Sequence, residues 1–375
     1  TTVKLTRIAR IGAIGAIAAL ALTACAANEG AAPAASGDAS ASAPAEGGTS
    51  LTGTLNATGS SAQAAAQESW VAAFQSENAG ITINYQPTGS GTGRDNFLAG
   101  GQSFIGSDRA FDEEEVAAGG FGSCASDAIV EIPVYISPVA VIFNLEGIES
   151  LNMSGEVIGN IFNEKITSWN DPAIAGLNPD ADLPDTAITP VHRSDPSGTT
   201  GTFAAFLDAV APEAWPHGDE DEWPLNSGES AQGTAGVVAA VTSGNGTIGY
   251  ADASQAGSLG TVAVEAGGEF VEYSSEAAAK LVDASPLAEG RSAGDLVFEV
   301  DPAAAPAGAY PIALVSYLIA CEKYEDANIG DIVNQYFTYV VSPEGQDAAA
   351  EAAGSAPLSD SLREKLTAAI ALIGS

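Results

Sequence analysis

The sequence predicts an α/β protein of two domains, with a chain that crosses between the domains twice. Its 375 residues, 46% hydrophobic and 16% charged, suffice for two domains with a buried core. A strand, a turn of small hydroxyl residues and a helix follow one another three times between positions 51 and 118. Ser137-Pro138 then separates two apolar runs, and residues 301–308 have the composition of a linker. We therefore expect a first domain at 49–137, a second at 138–305, and a return to the first at 306–375.

The first 48 residues are typical of an export segment. Three basic residues precede an apolar run at 11–22, as in a signal peptide, and the run is too short to span a bilayer. Leu22-Thr23-Ala24-Cys25 resembles a bacterial lipobox, which implies a signal peptide at 1–24 and a lipid on Cys25. A plain secretory signal with an incidental cysteine is the alternative. Residues 25–48, rich in Ala, Ser, Gly and Pro, are expected to form a flexible tether to the membrane.

Two further cysteines are compatible with export. If Cys25 carries lipid, Cys124 and Cys321 remain as a potential disulfide pair in an oxidising compartment. The alternative is two unrelated buried thiols.

The formal net charge of −36 argues against nucleic-acid binding, because no basic surface is available to neutralise phosphates. A small anion would have to be captured by local dipoles and hydrogen bonds. The two histidines and three cysteines show no metal-ligand spacing, so we expect neither a metal nor a cofactor.

The three repeated units at the start of the chain can be assigned in order. The strands are expected at 51–57, 81–85 and 104–106, the turns at 58–61, 87–93 and 107–109, and the helices at 61–75, from 94 to 98 and beyond, and at 112–118. In open α/β sheets ligands bind where such turns follow the strands, so three turns of one character indicate a shared site.

Later elements follow from the same patterns. Helices are expected at 154–161, 233–242, 329–341 and 359–373, and strands at 247–250 and 312–319. The acidic run at 219–222, flanked by Trp215 and Trp223, is expected to be a solvated loop.

The stretch from His192 to Phe203 is the strongest candidate for an anion site. Phe203, Phe206 and Leu207 share one face of a predicted helix, which puts Ser197 at or beside its N-cap. An oxyanion there would meet unpaired backbone N–H groups at the positive end of the helix dipole. Arg193 can add a bidentate fork, which Asp195 can hold in place. A capped helix beside a surface ion pair is the alternative.

Four stretches in this order resemble the substrate-binding lipoproteins of high-affinity phosphate ABC importers, the PstS family. The likeness covers about 51–375 and rests on Gly59-Ser60-Ser61 with Trp70, on residues 85–91, on residues 105–110 and on residues 193–199. It implies a two-domain Venus-flytrap fold of the type II periplasmic-binding-protein kind, which closes on its ligand, and separate permease subunits as partners. It also implies a phosphate-binding set of Ser61, Ala62, Ser90, Asp108, Arg193, Ser197, Gly198 and Thr199, with Asp195 orienting Arg193.

The resemblance makes Asp108 the residue that selects the anion. A carboxylate only accepts hydrogen bonds, and phosphate near neutral pH still carries a proton whereas sulfate does not. Asp108 would therefore favour phosphate and repel sulfate. Alternatively, Asp108 pairs with Arg109 or caps the next helix. Arg94 and Arg109 either contribute to the anion site or form structural ion pairs, and structural pairs are the favoured expectation.

We expect a monomeric, lipid-anchored, non-catalytic receptor on the outer face of the cell membrane. A receptor for another tetrahedral oxyanion or for a phosphate ester is a second hypothesis. A hydrolase with Ser90 or Ser197 as nucleophile and His192 as base is a third, although no Gly-x-Ser-x-Gly elbow is present. A surface adhesion protein is a fourth, and it would bind no small anion.

Overall fold

The computed structural model describes residues 51–374, and the predicted signal peptide, Cys25 and the whole predicted tether lie outside this range. The described strands are β1 (Gly53–Gly59), β2 (Ile81–Gln86), β3 (Phe104–Ser107), β4 (Ile129–Asn144), β5 (Ser150–Met153), β6 (Thr189–Arg193), β7 (Glu229–Ala231), β8 (Thr247–Asp252), β9 (Gly260–Ala266), β10 (Glu269–Val271) and β11 (Ala313–Cys321). The described helices are α1 (Ala64–Glu77), α2 (Ser90–Ala99), α3 (Glu113–Ala118), α4 (Gly155–Phe162), α5 (Pro172–Leu177), α6 (Gly198–Val210), α7 (Gly233–Ser243), α8 (Ser275–Asp283), α9 (Ala327–Val341), α10 (Pro343–Ala353) and α11 (Asp360–Ile370). The predicted α/β class is confirmed.

One long strand joins two sections of sheet. Residues 129–138 of β4 pair with β11, and residues 139–144 pair with β8. The first section has the order β2-β1-β3-β11-β4, and the second continues from β4 through β8 and β6 to β7. The chain passes from the first to the second section within β4, at the predicted Ser137-Pro138 step. The chain is back beside the first section before β11, because the amide of Glu131 donates to the carbonyl of Gly294 over 2.8 Å and the amide of Leu296 donates to the carbonyl of Glu131 over 2.9 Å.

Helices cover both sections and bury continuous apolar strands. In the first section α1 packs on β2, α2 and α9 pack on β1, and α10 and α11 pack on the other helices. In the second section α6 and α7 lie against β8. Fifteen of the sixteen residues of β4 are buried, as is typical of a strand covered on both faces.

The end of β1 shows why glycine is required beside the predicted shared site. Gly59 has φ of 135°, and a Cβ there would lie 1.9 Å from the carbonyl oxygen of Gly106 on the neighbouring β3. A side chain at position 59 would therefore push apart the two strands whose ends carry the first and third turns.

The structure corrects two sequence predictions. The helix expected from Arg94 begins at Ser90, so most of the glycine-rich turn forms its first turn. The loop expected to be solvated is partly buried, because the side chains of Trp215 and Asp221 pack inside the protein, with 0% and 6% of their surface exposed.

Cys124 and Cys321 form a disulfide, with their Cα atoms 5.3 Å apart. The predicted pairing is confirmed, and it ties the end of β11 to the segment between α3 and β4. Within residues 51–374 no helix is both long enough and apolar enough to cross a membrane.

Candidate functional site

The predicted turns of the first section lie together because their strands are parallel neighbours. β1 pairs with β2 on one side and with β3 on the other, so the residues that follow all three strands meet at one edge. The amide of Ser60 donates to Gly106 over 2.8 Å, and that of Gly89 donates to Gly59 over 2.8 Å. The first bond holds the approach to α1 against β3, and the second holds the approach to α2 against the end of β1.

Asp108, which directly follows β3, is the buried acid at the centre of this edge. Its Oδ1 accepts hydrogen bonds from the hydroxyls of Ser60 and Ser316, each at 2.5 Å. Its Oδ2 accepts one from the hydroxyl of Thr199 at 2.9 Å. Because a carboxylate has about four acceptor positions, Oδ2 retains one for a further donor. Thr199 belongs to α6 of the second section, so Asp108 also bridges the two sections.

Opposing effects act on the pKa of the Asp108 carboxyl. Burial raises the pKa of its carboxyl above the usual value, whereas the three hydroxyl donors and the nearby Arg193 guanidinium lower it. Neither alternative role from the sequence is seen. In the described residues Arg109 pairs with Asp112 and Asp221, and α3 is capped by Asp112.

Arg193 ends β6 and is 2% exposed. Its Nε donates to Asp195 over 2.8 Å, and its Nη2 donates to the other oxygen of the same carboxylate. Of the five N–H donors of an arginine, three then have no protein acceptor among residues 51–374. Asp195 also accepts from the amide of Gly233 over 3.0 Å, so it holds the start of α7 beside the fork.

Helix α6 contributes its amino-terminal end to the same place. Ser197 is the N-cap, and its Oγ accepts from the amide of Thr200 over 3.2 Å. The amides of Gly198 and Thr199 lie before the first intrahelical bond, so they are free to bind an anion at the positive end of the helix dipole. Gly198 approaches Asp108 so closely that a Cβ would lie 2.7 Å from the Cβ of the acid. The helix end and the carboxylate are thus adjacent.

Ser61, Ala62 and Ser90 lie at the same edge but make different contacts. Ser90 is the first residue of α2, and its Oγ accepts from the amide of Asp108 over 3.0 Å. The Oγ of Ser61 accepts from the amide of Thr234 over 3.1 Å, so it links α1 to α7. The amide of Ala62 donates to the hydroxyl of Ser60 over 3.1 Å.

Sequence patterns missed four contributors to this region. Ser60 was quoted only as part of a motif, whereas Ser316, Thr234 and Asp221 were not assigned to the site. The last three approach it from distant parts of the chain. Ser316 and Thr234 stand in largely apolar segments without a recognisable motif, and Asp221 stands in an acidic run that is typical of a solvated loop. Of these residues, Ser316 carries a detectable sequence signal, because it is a polar residue within the apolar strand β11.

His192 does not contact either serine proposed as a nucleophile. Its two ring nitrogens face carbonyl oxygens, that of Arg193 at 2.9 Å and that of Ser227 at 3.1 Å. The ring also stacks on Trp223, with centroids 4.9 Å apart. Since a general base must reach the nucleophile's proton, this geometry disfavours the hydrolase hypothesis. The described residues also contain no cluster of His, Cys, Asp and Glu that could hold a metal ion.

Comparison with known proteins gives consistent similarities. A model of the PBP superfamily domain matches residues 43–344. Phosphate-binding protein PstS 3 of Mycobacterium leprae (strain TN) is 37% identical over 323 residues, covering 84% of this chain and 86% of that protein. Phosphate-binding protein PstS 2 of Mycobacterium tuberculosis (strain ATCC 25618 / H37Rv) is 34% identical over 327 residues, covering 84% and 86%.

A solved structure shows the same architecture. A high affinity periplasmic phosphate-binding protein (PfluDING), solved with phosphate bound, superposes with a TM-score of 0.68 at 21% identity, covering 84% of this chain and 93% of that one. This likeness confirms the predicted two-domain α/β fold of periplasmic binding proteins. With the matched model and the identities over most of the chain, it follows that the protein belongs to the PstS family of phosphate-binding proteins within the PBP superfamily.

Proposed function

We propose that this protein is an extracytoplasmic receptor that captures inorganic phosphate between its two domains and delivers it to the permease subunits of an ABC importer. The observation that carries the proposal is the convergence of three groups in one buried place. These are the remaining acceptor position of Asp108, the free donors of Arg193 and the first amides of α6. Family membership supports the same function.

The three groups are complementary to a protonated tetrahedral oxyanion. Arg193 and the helix amides donate to oxygens that carry negative charge, while Asp108 accepts from the oxygen that carries the proton. The hydroxyls of Ser90 and Ser197 are positioned beside them as further donors. Because the site places one buried acceptor among its donors, an anion with one proton satisfies every group, whereas a fully ionised anion leaves the carboxylate facing a charged oxygen.

The burial of the site favours inorganic phosphate over an ester. Arg193 and Asp108 expose only 2% and 7% of their surfaces, so a phosphate held between them would be largely enclosed, which disfavours a large substituent. Closure of the domains around such a site would bury the anion, and opening would release it.

We also propose that residues 49–137 and 306–375 form the first domain and residues 138–305 the second. The change of partner along β4, from β11 up to Pro138 to β8 from Val139, supports the first of these boundaries. The chain is taken to act as a monomer, tethered by lipid on Cys25, and without catalytic activity. The cysteine motif and the disulfide support export.

Calorimetric titration of protein freed of bound anion tests the proposal. We expect one phosphate per chain, and we expect Arg193→Gln to weaken binding by at least about 100-fold, because a buried charged hydrogen-bond partner is removed. Asp360→Asn is the matched control, since this carboxylate is 98% exposed on α11. Absence of phosphate heat in ligand-free protein that is correctly folded would overturn the proposal.

A further inference from the structure

An ion cluster joins the two sections beside the anion site. Arg94 on α2 donates to the Oδ2 of Asp221 over 3.0 Å, and Arg109 lies 3.8 Å from the Oδ1 of the same carboxylate. Both arginines belong to the first section, whereas Asp221 lies in the loop between α6 and β7 of the second. We call Arg94, Arg109 and Asp221 the latch.

The latch is built into the molecule and is not a surface ion pair. The side chains of Asp221 and Arg94 are only 8% and 15% exposed. Arg94 is also oriented from its own section, since its Nη1 donates to the carbonyl of Arg109 over 3.5 Å. Glycine at position 201 makes room for the carboxylate, because a Cβ there would lie 2.5 Å from the Oδ1 of Asp221.

The latch also contacts both halves of the anion site through the backbone. The carbonyl of Asp221 accepts from the amide of Ser197 over 2.9 Å, and Ser197 is the N-cap of the helix that faces the anion. On the other side, Arg109 directly follows Asp108 in the chain. Any separation of the two sections that widens the gap between Asp108 and Ser197 must therefore also separate Asp221 from the arginines.

We propose that Asp221 is a positioning residue whose ion pairs with Arg94 and Arg109 hold the domains closed and so set the rate of phosphate release. This inference rests on the proposed function. The pairs form across the closing surfaces and leave the anion itself untouched. Their loss should therefore accelerate dissociation while leaving the choice between anions unchanged.

Acidic side chains around Arg109 favour its charged form and so favour its ion pair with Asp221. Asp221, together with Asp112, Asp219 and Glu220, raises the pKa of Arg109 above its usual value against the effect of burial. Arg94 lies closer to Asp221 and is more buried than Arg109, so it is expected to carry the larger share of the coupling.

Stopped-flow measurement of phosphate association and dissociation provides the test. We expect Asp221→Asn to release phosphate at least about tenfold faster, with an association rate within about threefold of wild type and an unchanged preference for phosphate over sulfate. Arg94→Gln should act in the same direction. The double variant should be little faster than either single variant, because both remove the same interaction. Asp360→Asn is the control, because its pair with Arg363 lies within α11.

Raised salt should speed release from wild type modestly more than from Asp221→Asn, since the side chain of Arg109 is 32% exposed and its pair with Asp221 is therefore partly screened. Additive effects of Asp221→Asn and Arg94→Gln, an unchanged release rate, or a loss of discrimination against sulfate would each overturn the latch. If Asp221→Asn does not fold, the release rate of Arg94→Gln, compared with that of wild type over the same range of salt concentration, still tests the latch.

Failure of the proposed function would look different from failure of the latch. If wild-type protein binds no phosphate, the proposed function is wrong, and the latch is then judged by hydrogen exchange. In that case the amides of residues 90–94 and 197–201 should exchange faster in Asp221→Asn than in wild type. Equal exchange would overturn the latch as well.

Discussion

Asp252 offers a direct test of how a buried charge affects the stability of this fold. It ends β8, beside the crossing in β4, and its side chain is completely buried. Its Oδ1 accepts from the hydroxyl of Tyr135 at 3.0 Å and from the amide of Ser254 at 3.0 Å. Its Oδ2 has no partner among residues 51–374. Burial raises the pKa of Asp252 to about 6, and the hydrogen bonds from Ser254, Ser137 and Tyr135 offset only part of this rise.

The size of the effect follows from linkage. A rise in pKa from 3.8 to about 6 corresponds to about 3 kcal/mol of unfolding free energy. Because the folded state holds the proton more tightly than the unfolded state, ionisation costs stability. The cost is absent below about pH 4 and complete above about pH 6. Asp252→Asn abolishes this titration and keeps an acceptor oxygen for Tyr135.

The measurement is urea unfolding of wild type and Asp252→Asn at several pH values from about 4 to about 8. The free energy of unfolding of the variant, minus that of wild type, should rise by about 3 kcal/mol across this range. Taking the difference removes the pH dependence that both proteins share through their other carboxylates. A difference that stays constant with pH would refute the reasoning.

Two further predictions concern the cleft and the disulfide. Gly198→Ala should weaken phosphate binding by about tenfold or more in calorimetry, because the new Cβ would lie 2.7 Å from the Cβ of Asp108 and 2.9 Å from the amide of Arg109. Unchanged affinity would show that α6 need not approach Asp108 so closely. Replacing Cys124 and Cys321 together by serine opens a loop with a sequence separation of 197 and should lower the unfolding free energy by roughly 2–5 kcal/mol in urea titrations. Equal stability of the oxidised wild type and the variant would contradict the expected contribution of this bridge.

The sequence predicted the elements with strong local patterns. The N-cap at Ser197 followed from an apolar helical face preceded by a hydroxyl residue, and α6 begins immediately after it. The pairing of Cys124 with Cys321 followed from export and from the small number of cysteines, and the structure contains it. In both cases the local sequence or the composition strongly favours one structure.

Features that depend on long-range packing were not predictable in this way. Helix α2 begins at Ser90, inside a run of glycines that favours a turn locally, because its first turn packs against Gly59 and Pro196. Asp221 belongs to an acidic run that is typical of a solvated loop, yet its carboxylate is buried against arginines from the other section. A single sequence does not reveal which acid of such a run faces inward.

The roles of the hydroxyls were also hidden from the sequence. Ser60 and Ser61 are adjacent and chemically identical, but Ser60 donates to Asp108 whereas Ser61 accepts from Thr234. The division depends on the direction in which each side chain leaves the end of β1. Ser316 reaches the same carboxylate from β11, which is 208 residues further along the chain.

The central claim is that Asp108 selects a protonated oxyanion inside a phosphate site, and competition between phosphate and sulfate tests it most directly. Both anions are titrated calorimetrically into ligand-free wild type and Asp108→Asn near neutral pH. Wild type should prefer phosphate by at least about 10⁴-fold, because sulfate leaves the buried carboxylate facing another charge. Asp108→Asn, whose amide can donate to sulfate, should reduce this preference by about 100-fold or more. An unchanged preference in Asp108→Asn, or equal binding of both anions by wild type, would contradict the account.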